Sequence, residues 1–344
     1  MGIALAFAVV VTKTYYFLST ERIAYIFNNI ELGRCYPPRS RLGPFYAVRE
    51  ALLALGFENL RIAEKRFWYA VDIASVTAAL LIFRSTVERF FRSRPYSIVA
   101  LLPFAYAVLW QFNTIESGGD WVPYTGLSLL FMTTGLALVL ANRPGWLLAM
   151  IPFAIANREA TIFLVLLYAA LRVRLAAPFS VGTSWARNRS VLLWCGGMVL
   201  AGVGTYMVLK LSLREPPGCD AFQQFDLKGF VLRTTGNLKY IFLVSDGRVT
   251  IGDIYNSITI FSVWGLLIFP LVFCWRLLDE IAIRLLAVVA AFWLFMFVHS
   301  VMAETRVMTD MAPLVALAFA ILARQIATEA NHDRTTADPE RRDP

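Results

Sequence analysis

Charged residues are scarce in this chain of 344 residues, where Asp, Glu, Lys and Arg together make up 16% of the sequence. A typical soluble protein has about 25% charged residues and roughly 45–50% apolar ones. Here hydrophobic residues reach 58%, and the mean hydropathy is +0.61. This composition indicates a membrane protein. It excludes a soluble two-domain enzyme and, despite the formal net charge of +8, a nucleic-acid-binding protein.

Cysteine and histidine are also rare. The four cysteines are too few for a disulfide framework, and none of them forms a Cys-x-x-Cys pair. One of the two histidines, His332, lies in a polar C-terminal stretch. The sequence therefore indicates no metal site and no cofactor, although a divalent cation would be compatible with it.

Apolar residues are present instead in nine blocks, the longest of which have about 20 residues or more and so match the thickness of a bilayer core. The pattern predicts an all-α polytopic membrane protein with one transmembrane domain over residues 1–327 and a disordered cytoplasmic tail over residues 328–344. Two long loops, 19–66 and 212–257, connect the blocks. The blocks cover residues 1–18, 67–83, 96–112, 124–141, 146–171, 191–211, 258–275, 285–302 and 311–327.

The distribution of arginine predicts the orientation, because cytoplasmic loops of membrane proteins are enriched in Lys and Arg. The connections 84–95 and 172–190 each contain four arginines, and we expect both to be cytoplasmic. The loops 19–66 and 212–257 then face outward, and both termini are cytoplasmic. In the first outer loop, Phe45, Val48, Leu52 and Leu55 have helical spacing, which predicts a helix lying on the membrane surface.

The block 146–171 carries Asn157-Arg158-Glu159 at its centre. A straight helix of this length would measure about 39 Å and would place two opposite charges near the middle of the bilayer. The connections on either side of the block are both expected to be cytoplasmic, and a single crossing cannot begin and end on one side. We therefore favour a re-entrant helical hairpin plus eight full crossings, with a single crossing as the alternative.

Ionisable residues inside a membrane are candidates for function, because their burial in lipid is costly. Arg158 either binds a phosphate in a cavity or forms an internal ion pair with Glu159, and the sequence leaves both interpretations open. Asp72 is expected to be a buried hydrogen-bond acceptor. Glu304-Thr305-Arg306, followed by Asp310 and Pro313, forms either an anion site for a lipid head group or a solvated turn.

In layout the chain resembles bacterial membrane glycosyltransferases of the GT-C superfamily, of the aminoarabinose-transferase and protein-mannosyltransferase type. The resemblance rests on three landmarks. A first helix leads into a long outer loop, here Glu21 to Arg66. A pair of short apolar segments is interrupted by a charged run, here Ala156-Asn157-Arg158-Glu159-Ala160-Thr161. An arginine-bearing loop precedes a helix with proline, here Glu304-Thr305-Arg306 through Pro313.

The resemblance implies a protein of the bacterial inner membrane that transfers a sugar from a polyprenyl-phosphate carrier to an envelope acceptor at the exoplasmic face. Arg158, Glu159, Glu304 and Arg306 would bind the substrate and its phosphate. The family places a catalytic Asp in the first outer loop, but this chain has no Asp between Ser19 and Arg66. Glu21 or Glu31 would then be the base. The alternative is a non-enzymatic carrier or assembly subunit for envelope polysaccharide.

The four cysteines fall into two classes. Cys195 and Cys274 lie in apolar blocks and are expected to behave as small apolar residues within helices. Cys35 and Cys219 fall in the two outer loops, each beside a proline pair, in a compartment where disulfides persist. Either the two form a disulfide that joins the loops or they are unrelated free thiols.

Overall fold

The structure is a computed structural model that describes residues 1–17, 43–113, 124–174, 181–212, 264–299 and 305–337, with a few positions between 231 and 239. Within these ranges the chain is helical and contains no strand, which confirms the predicted all-α class. The α-helices are α1 (Gly2–Phe17), α2 (Gly43–Ala54), α3 (Leu60–Phe91), α4 (Arg94–Val99), α5 (Leu101–Asn113), α6 (Tyr124–Leu140), α7 (Pro144–Asn157), α8 (Phe163–Arg172), α9 (Val181–Ser212), α10 (Ile268–Phe273), α11 (Glu280–His299) and α12 (Ala312–Ala337).

Four stretches of helix in the described ranges are long and apolar enough to cross a bilayer: Ile62–Phe91, Asn188–Ser212, Glu280–Val298 and Met308–Glu329. Three further apolar helices are shorter, at Gly2–Lys13, Thr125–Leu140 and Pro144–Asn157. These lengths and compositions indicate an integral membrane protein.

Helix α3 is longer at both ends than the predicted block 67–83. Its first turn is capped by the Asn59 side chain, which accepts a hydrogen bond of 3.2 Å from the backbone N–H of Ile62. It ends at Arg92, whose φ of 53° is left-handed, and Ser93 caps the next helix. The expectation of loops at 60–66 and 84–91 was therefore wrong, because a helix satisfies its own backbone hydrogen bonds and can continue through charged residues beyond an apolar block.

The long connection 19–66 contains the expected helix, α2. It packs on α3 and α7. Leu52 is buried and Val48 contacts the core, whereas Leu55, just beyond the helix, is exposed. The helical spacing is thus confirmed for Val48 and Leu52, while its position on a membrane surface stays a prediction.

Helix α6 lies at the centre of the bundle and packs against α3, α7, α8 and α12. Two glycines permit this close packing. A Cβ atom on Gly126 would lie 3.3 Å from the Cα atom of Asp72 on α3, and one on Gly135 would overlap the Leu164 side chain on α8. The core around α6 contains Leu129, Met132 and Leu136, all fully buried.

The predicted block 146–171 is broken in the middle. Helix α7 ends at Asn157, a 3₁₀ turn follows at Glu159–Ile162, and α8 begins at Phe163. Leu164 contacts Gly135, whereas Arg172 donates to the Val139 and Leu140 carbonyls. Helix α8 therefore runs parallel to α6, while α7, which follows α6 after a three-residue connection, packs back along it.

Two other predicted blocks are also interrupted. Residues 96–112 divide into α4 and α5. In block 258–275, the described part contains a 3₁₀ turn at Gly265–Leu267 and the six-residue helix α10. Trp264 there has a left-handed φ of 62°, which does not fit a continuous helix. The structure thus does not give one continuous helix for each apolar block.

The last helix, α12, extends further than predicted. Its first half is almost fully buried from Met311 to Leu322, but the helix continues to Ala337. The prediction that the whole of 328–344 is disordered is therefore wrong for residues 328–337, which are helical. The remaining residues of this tail, 338–344, lie outside the described residues. The sequence 323–330 contains Ala, Arg, Gln and Glu, which favour a helix even where it is exposed to water.

Candidate functional site

The candidate site begins at the break between α7 and α8. Arg158 has an extended backbone with φ −161° and ψ 127°. Its N–H still donates to the Ala154 carbonyl at 2.8 Å, while the Thr161 hydroxyl donates to the Arg158 carbonyl at 2.7 Å. The positive charge of Arg158 lies at the C-terminus of α7, where the helix dipole is negative. The negative charge of Glu159 lies at the start of the 3₁₀ turn, where the dipole is positive.

The Arg158 side chain forms an ion pair with Asp310. The Arg158 Nη1 and Asp310 Oδ2 atoms are 3.2 Å apart, and the two side chains are 7% and 0% exposed. Arg158 is thus withdrawn from solvent together with its counter-ion. The pair joins the break between α7 and α8 to the segment that leads into α12.

Asp310 lies in a 3₁₀ helix that spans Thr305–Met311. The Trp264 Nε1–H donates to the Met308 carbonyl at 3.1 Å and so anchors this segment. Thr309 and Asp310 are both fully buried. The 3₁₀ helix packs on α5, α6 and α11, so the carboxylate is held inside the bundle.

A third polar residue faces the pair from α6. Ser128 is fully buried, and its hydroxyl lies near the Asp310 carboxylate without forming a hydrogen bond of normal geometry. Ser128 lies about 18 Å along α6 from Leu140, since a helix rises 1.5 Å per residue. The site is therefore far from the arginine-rich end of α6 at which Arg172 binds Val139 and Leu140.

Two further acids are buried on α3. Asp72 is 1% exposed and contacts Gly126, and Glu64 is 2% exposed. The Glu64 Oε1 atom lies 4.0 Å from the Arg49 Nε atom on α2. Because 64 and 72 are eight residues apart, the two carboxylates share one face of α3.

The structure places only some of the residues expected from the sequence. Arg158 lies in the site, and Glu159 follows it, half-buried. The backbone of Arg306 is part of the 3₁₀ helix that carries Asp310, but its side chain is among those not described. Five other candidates lie outside the described residues: Glu21, Glu31, Cys35, Cys219 and Glu304.

Asp310 is the residue that sequence reasoning missed. It was noted beside Glu304-Thr305-Arg306 but given no role. An acid directly before the last apolar block, in a chain with an arginine at the centre of another block, was the available signal. Within the described ranges, no group of three or more His, Cys, Asp or Glu residues is placed to hold a metal ion.

Comparisons with known proteins give no match: no family model, no curated protein and no solved structure is significantly similar to this chain.

Proposed function

We propose that this protein is a membrane glycosyltransferase of the GT-C type, which transfers a sugar from a polyprenyl-phosphate carrier to an envelope acceptor at the exoplasmic face of a bacterial inner membrane. The observation that carries the proposal is the 3.2 Å contact of Arg158 with Asp310. It brings together the charged run 156–161 and the segment 304–313, which are two of the three landmarks of the resemblance. These segments are far apart in the sequence.

The chemistry assigned to the site is the departure of a phosphate. The bond between the sugar anomeric carbon and the phosphate oxygen breaks, and polyprenyl phosphate leaves with the electron pair. Arg158 and Arg306 stabilise this negative charge, because guanidinium groups bind phosphate oxygens bidentately. The acceptor hydroxyl attacks the anomeric carbon and gives its proton to Glu21 or Glu31 as general base. Glu159 and Glu304 orient the arginines or the sugar.

The proposed topology has eight crossings and a re-entrant hairpin formed by α7 and α8, with both termini cytoplasmic. Three contacts support it. Arg172 at the end of α8 binds the end of α6, Gly145 at the start of α7 lies against Trp194 of α9, and Asn188 at that end of α9 hydrogen-bonds the backbone of Arg174. The start of α7 and the end of α8 are therefore near each other, as a hairpin requires.

Binding of the carrier lipid tests the proposal. Full-length protein in phosphatidylcholine nanodiscs is titrated with polyprenyl monophosphate, the part common to all such donors. We expect saturable binding that Arg306→Gln weakens about tenfold, since a charge-assisted contact contributes roughly 1.5–3 kcal/mol. Arg276→Gln is the matched control, because Arg276 is exposed and lies beyond α10. Equal affinity in both variants, or no saturable binding by the wild type, would contradict the proposal.

The enzymatic step needs a separate measurement. With a polyprenyl-phosphate-linked radiolabelled sugar, the double variant Glu21→Gln/Glu31→Gln is expected to bind the donor as the wild type does but to transfer no label. Transfer at the wild-type rate would remove both glutamates from the mechanism.

A non-enzymatic carrier is the second candidate, and the buried carboxylates of α3 favour it. Glu64 and Asp72 share a face of one helix inside the bundle, and aligned intramembrane acids are typical of ion and substrate pathways. In proteoliposomes a carrier would move polyprenyl-linked sugar across the membrane without cleaving it, and Asp72→Asn would stop this movement. Cleavage without translocation would favour the enzyme.

A further inference from the structure

The Arg158 guanidinium, which the proposed function assigns to a phosphate, already has an anion beside it. The Asp310 carboxylate lies 3.2 Å away and is fully buried. A phosphate oxygen and this carboxylate would approach the same cation. Unless Asp310 moves away from Arg158, the donor phosphate meets a guanidinium whose charge is already compensated.

The carboxylate of Asp310 is poorly stabilised by hydrogen bonds. Neither carboxylate oxygen of Asp310 accepts a hydrogen bond of normal geometry from the part of the chain that the structure describes, and the Ser128 hydroxyl nearby does not close one either. A buried ion pair compensates for its desolvation only when its geometry is good and its remaining lone pairs are satisfied. The Asp310 carboxylate is therefore readily exchanged for an anion that binds Arg158 with better geometry.

Both partners also lie where the backbone can change locally. Arg158 is the single extended residue between α7 and a 3₁₀ turn. Asp310 is the penultimate residue of a seven-residue 3₁₀ helix that leads directly into α12. Runs of 3₁₀ helix longer than three or four residues are uncommon and often mark hinges. A small rewinding at Thr305–Met311 would withdraw the Asp310 carboxylate without moving the long helices.

We propose that Asp310 is a latch: its carboxylate occupies the phosphate position on Arg158 in the ligand-free protein and is exchanged for a lipid phosphate monoester when the substrate binds. This inference rests on the proposed function for the identity of the lipid. Specificity follows from it, since a phosphate monoester carries a larger negative charge than a carboxylate and can bind Arg158 bidentately, whereas Asp310 contacts one guanidinium nitrogen. The phosphodiester of a zwitterionic lipid carries a single negative charge beside a cation and is a weaker partner.

The test is a binding titration with two phosphate monoesters, polyprenyl monophosphate and phosphatidic acid, on full-length protein in phosphatidylcholine nanodiscs. Asp310→Asn keeps the side-chain shape and removes the competing charge. If the latch is closed nine times in ten, this variant lowers the Kd about tenfold for both lipids. Adding Arg158→Gln to Asp310→Asn removes the gain, because the exchanged cation is then absent.

Ser128→Ala provides the second variant. It removes the α6 hydroxyl that lies near Asp310, leaves both charges in place, and should lower the Kd by a smaller factor than Asp310→Asn does. If Asp310→Asn does not give a monodisperse protein by gel filtration, the Kd of Ser128→Ala alone tests the latch. An unchanged or higher Kd in a folded Asp310→Asn variant overturns the latch, as does an unchanged Kd in Ser128→Ala where that variant decides.

The two lipids separate the latch from the proposed function. Tighter binding of both lipids by Asp310→Asn, with polyprenyl monophosphate preferred, supports both. Tighter binding of both lipids without a preference for polyprenyl monophosphate supports the latch and overturns the proposed function. Equal binding of polyprenyl monophosphate by wild type and Asp310→Asn overturns the latch but leaves the proposed function unaffected. Absence of binding of either lipid by any variant overturns both.

Discussion

Arg158 and Asp310 show how strongly a single pair of side chains depends on its surroundings. In water such a pair contributes about 0–1 kcal/mol. Inside the bundle, with exposures of 7% and 0%, each charge has lost its hydration and depends on the other. Removing one partner takes the nearby opposite charge away from a buried ion, whereas removing both takes away the two buried charges together.

Arg158→Ala or Asp310→Ala is therefore expected to destabilise the folded protein by roughly 3–5 kcal/mol, seen as a lower Tm in detergent and less protein in the membrane. Arg158→Leu/Asp310→Leu together should recover most of this loss. The control is Glu280→Ala, which breaks the exposed Arg284–Glu280 pair and should change stability by about 0–1 kcal/mol. Equal losses in the single and double variants would contradict a mutually dependent pair.

Helices α6, α7 and α8 depend on small residues and on arginines at their ends. Gly135 lets Leu164 pack against α6. At the other end of α8, Arg284 donates to the Ala170 and Val173 carbonyls at 2.7 and 2.9 Å, and so satisfies acceptors that a helix leaves free at its C-terminus. These contacts hold α8 in the position that places Arg158 inside the bundle.

Gly135→Ala should overpack this contact, since its Cβ would lie 2.9 Å from the Leu164 Cδ1 atom. Overpacking costs roughly 1–3 kcal/mol, so the Tm should fall. Gly204→Ala on α9 is the matched control, because its Cβ would meet no atom within 4 Å. Gly135→Ala/Leu164→Ala should regain part of the loss. A Gly135→Ala variant as stable as Gly204→Ala would show that α6 and α8 do not pack closely there.

At the scale of the whole molecule, the arginine-rich end of the bundle predicts the orientation in the membrane. Reporter fusions after Arg94 and after Arg189 should both read cytoplasmic, and a fusion at Gly118 should read exoplasmic. The proposed re-entrant hairpin of α7 and α8 predicts that Arg94 and Arg189 lie on the same side of the membrane. If the two fusions report opposite sides, a single crossing replaces the hairpin.

The two outer loops provide a covalent test of the whole assembly. A Cys35–Cys219 disulfide would close a loop of well over one hundred residues and stabilise the protein by about 4–5 kcal/mol in the loop-entropy model. We expect these two cysteines to resist alkylation until the protein is reduced, whereas Cys195 and Cys274, which are free thiols, are unaffected by reduction. Mass spectrometry after alkylation distinguishes the cases. Alkylation of Cys35 without prior reduction would exclude the bond.

The sequence by itself determined the features that depend on neighbouring residues. Apolar blocks of bilayer length determined the membrane class, and the charged run inside block 146–171 determined where the helix breaks, since polar residues at that depth need protein partners. Local signals also predicted the helix α2. Block boundaries were less well determined, because a polar stretch such as 328–337 can remain helical.

Only the tertiary structure decided which distant residues meet. The sequence left open whether Arg158 binds a phosphate or pairs with its neighbour Glu159, and it did not indicate the partner Asp310, which belongs to a segment that only packing brings to the break. The Arg49–Glu64 contact and the course of α8 along α6 were likewise not readable from spacing. Hydropathy and helical period describe one helix at a time, whereas these contacts depend on how the helices pack against each other.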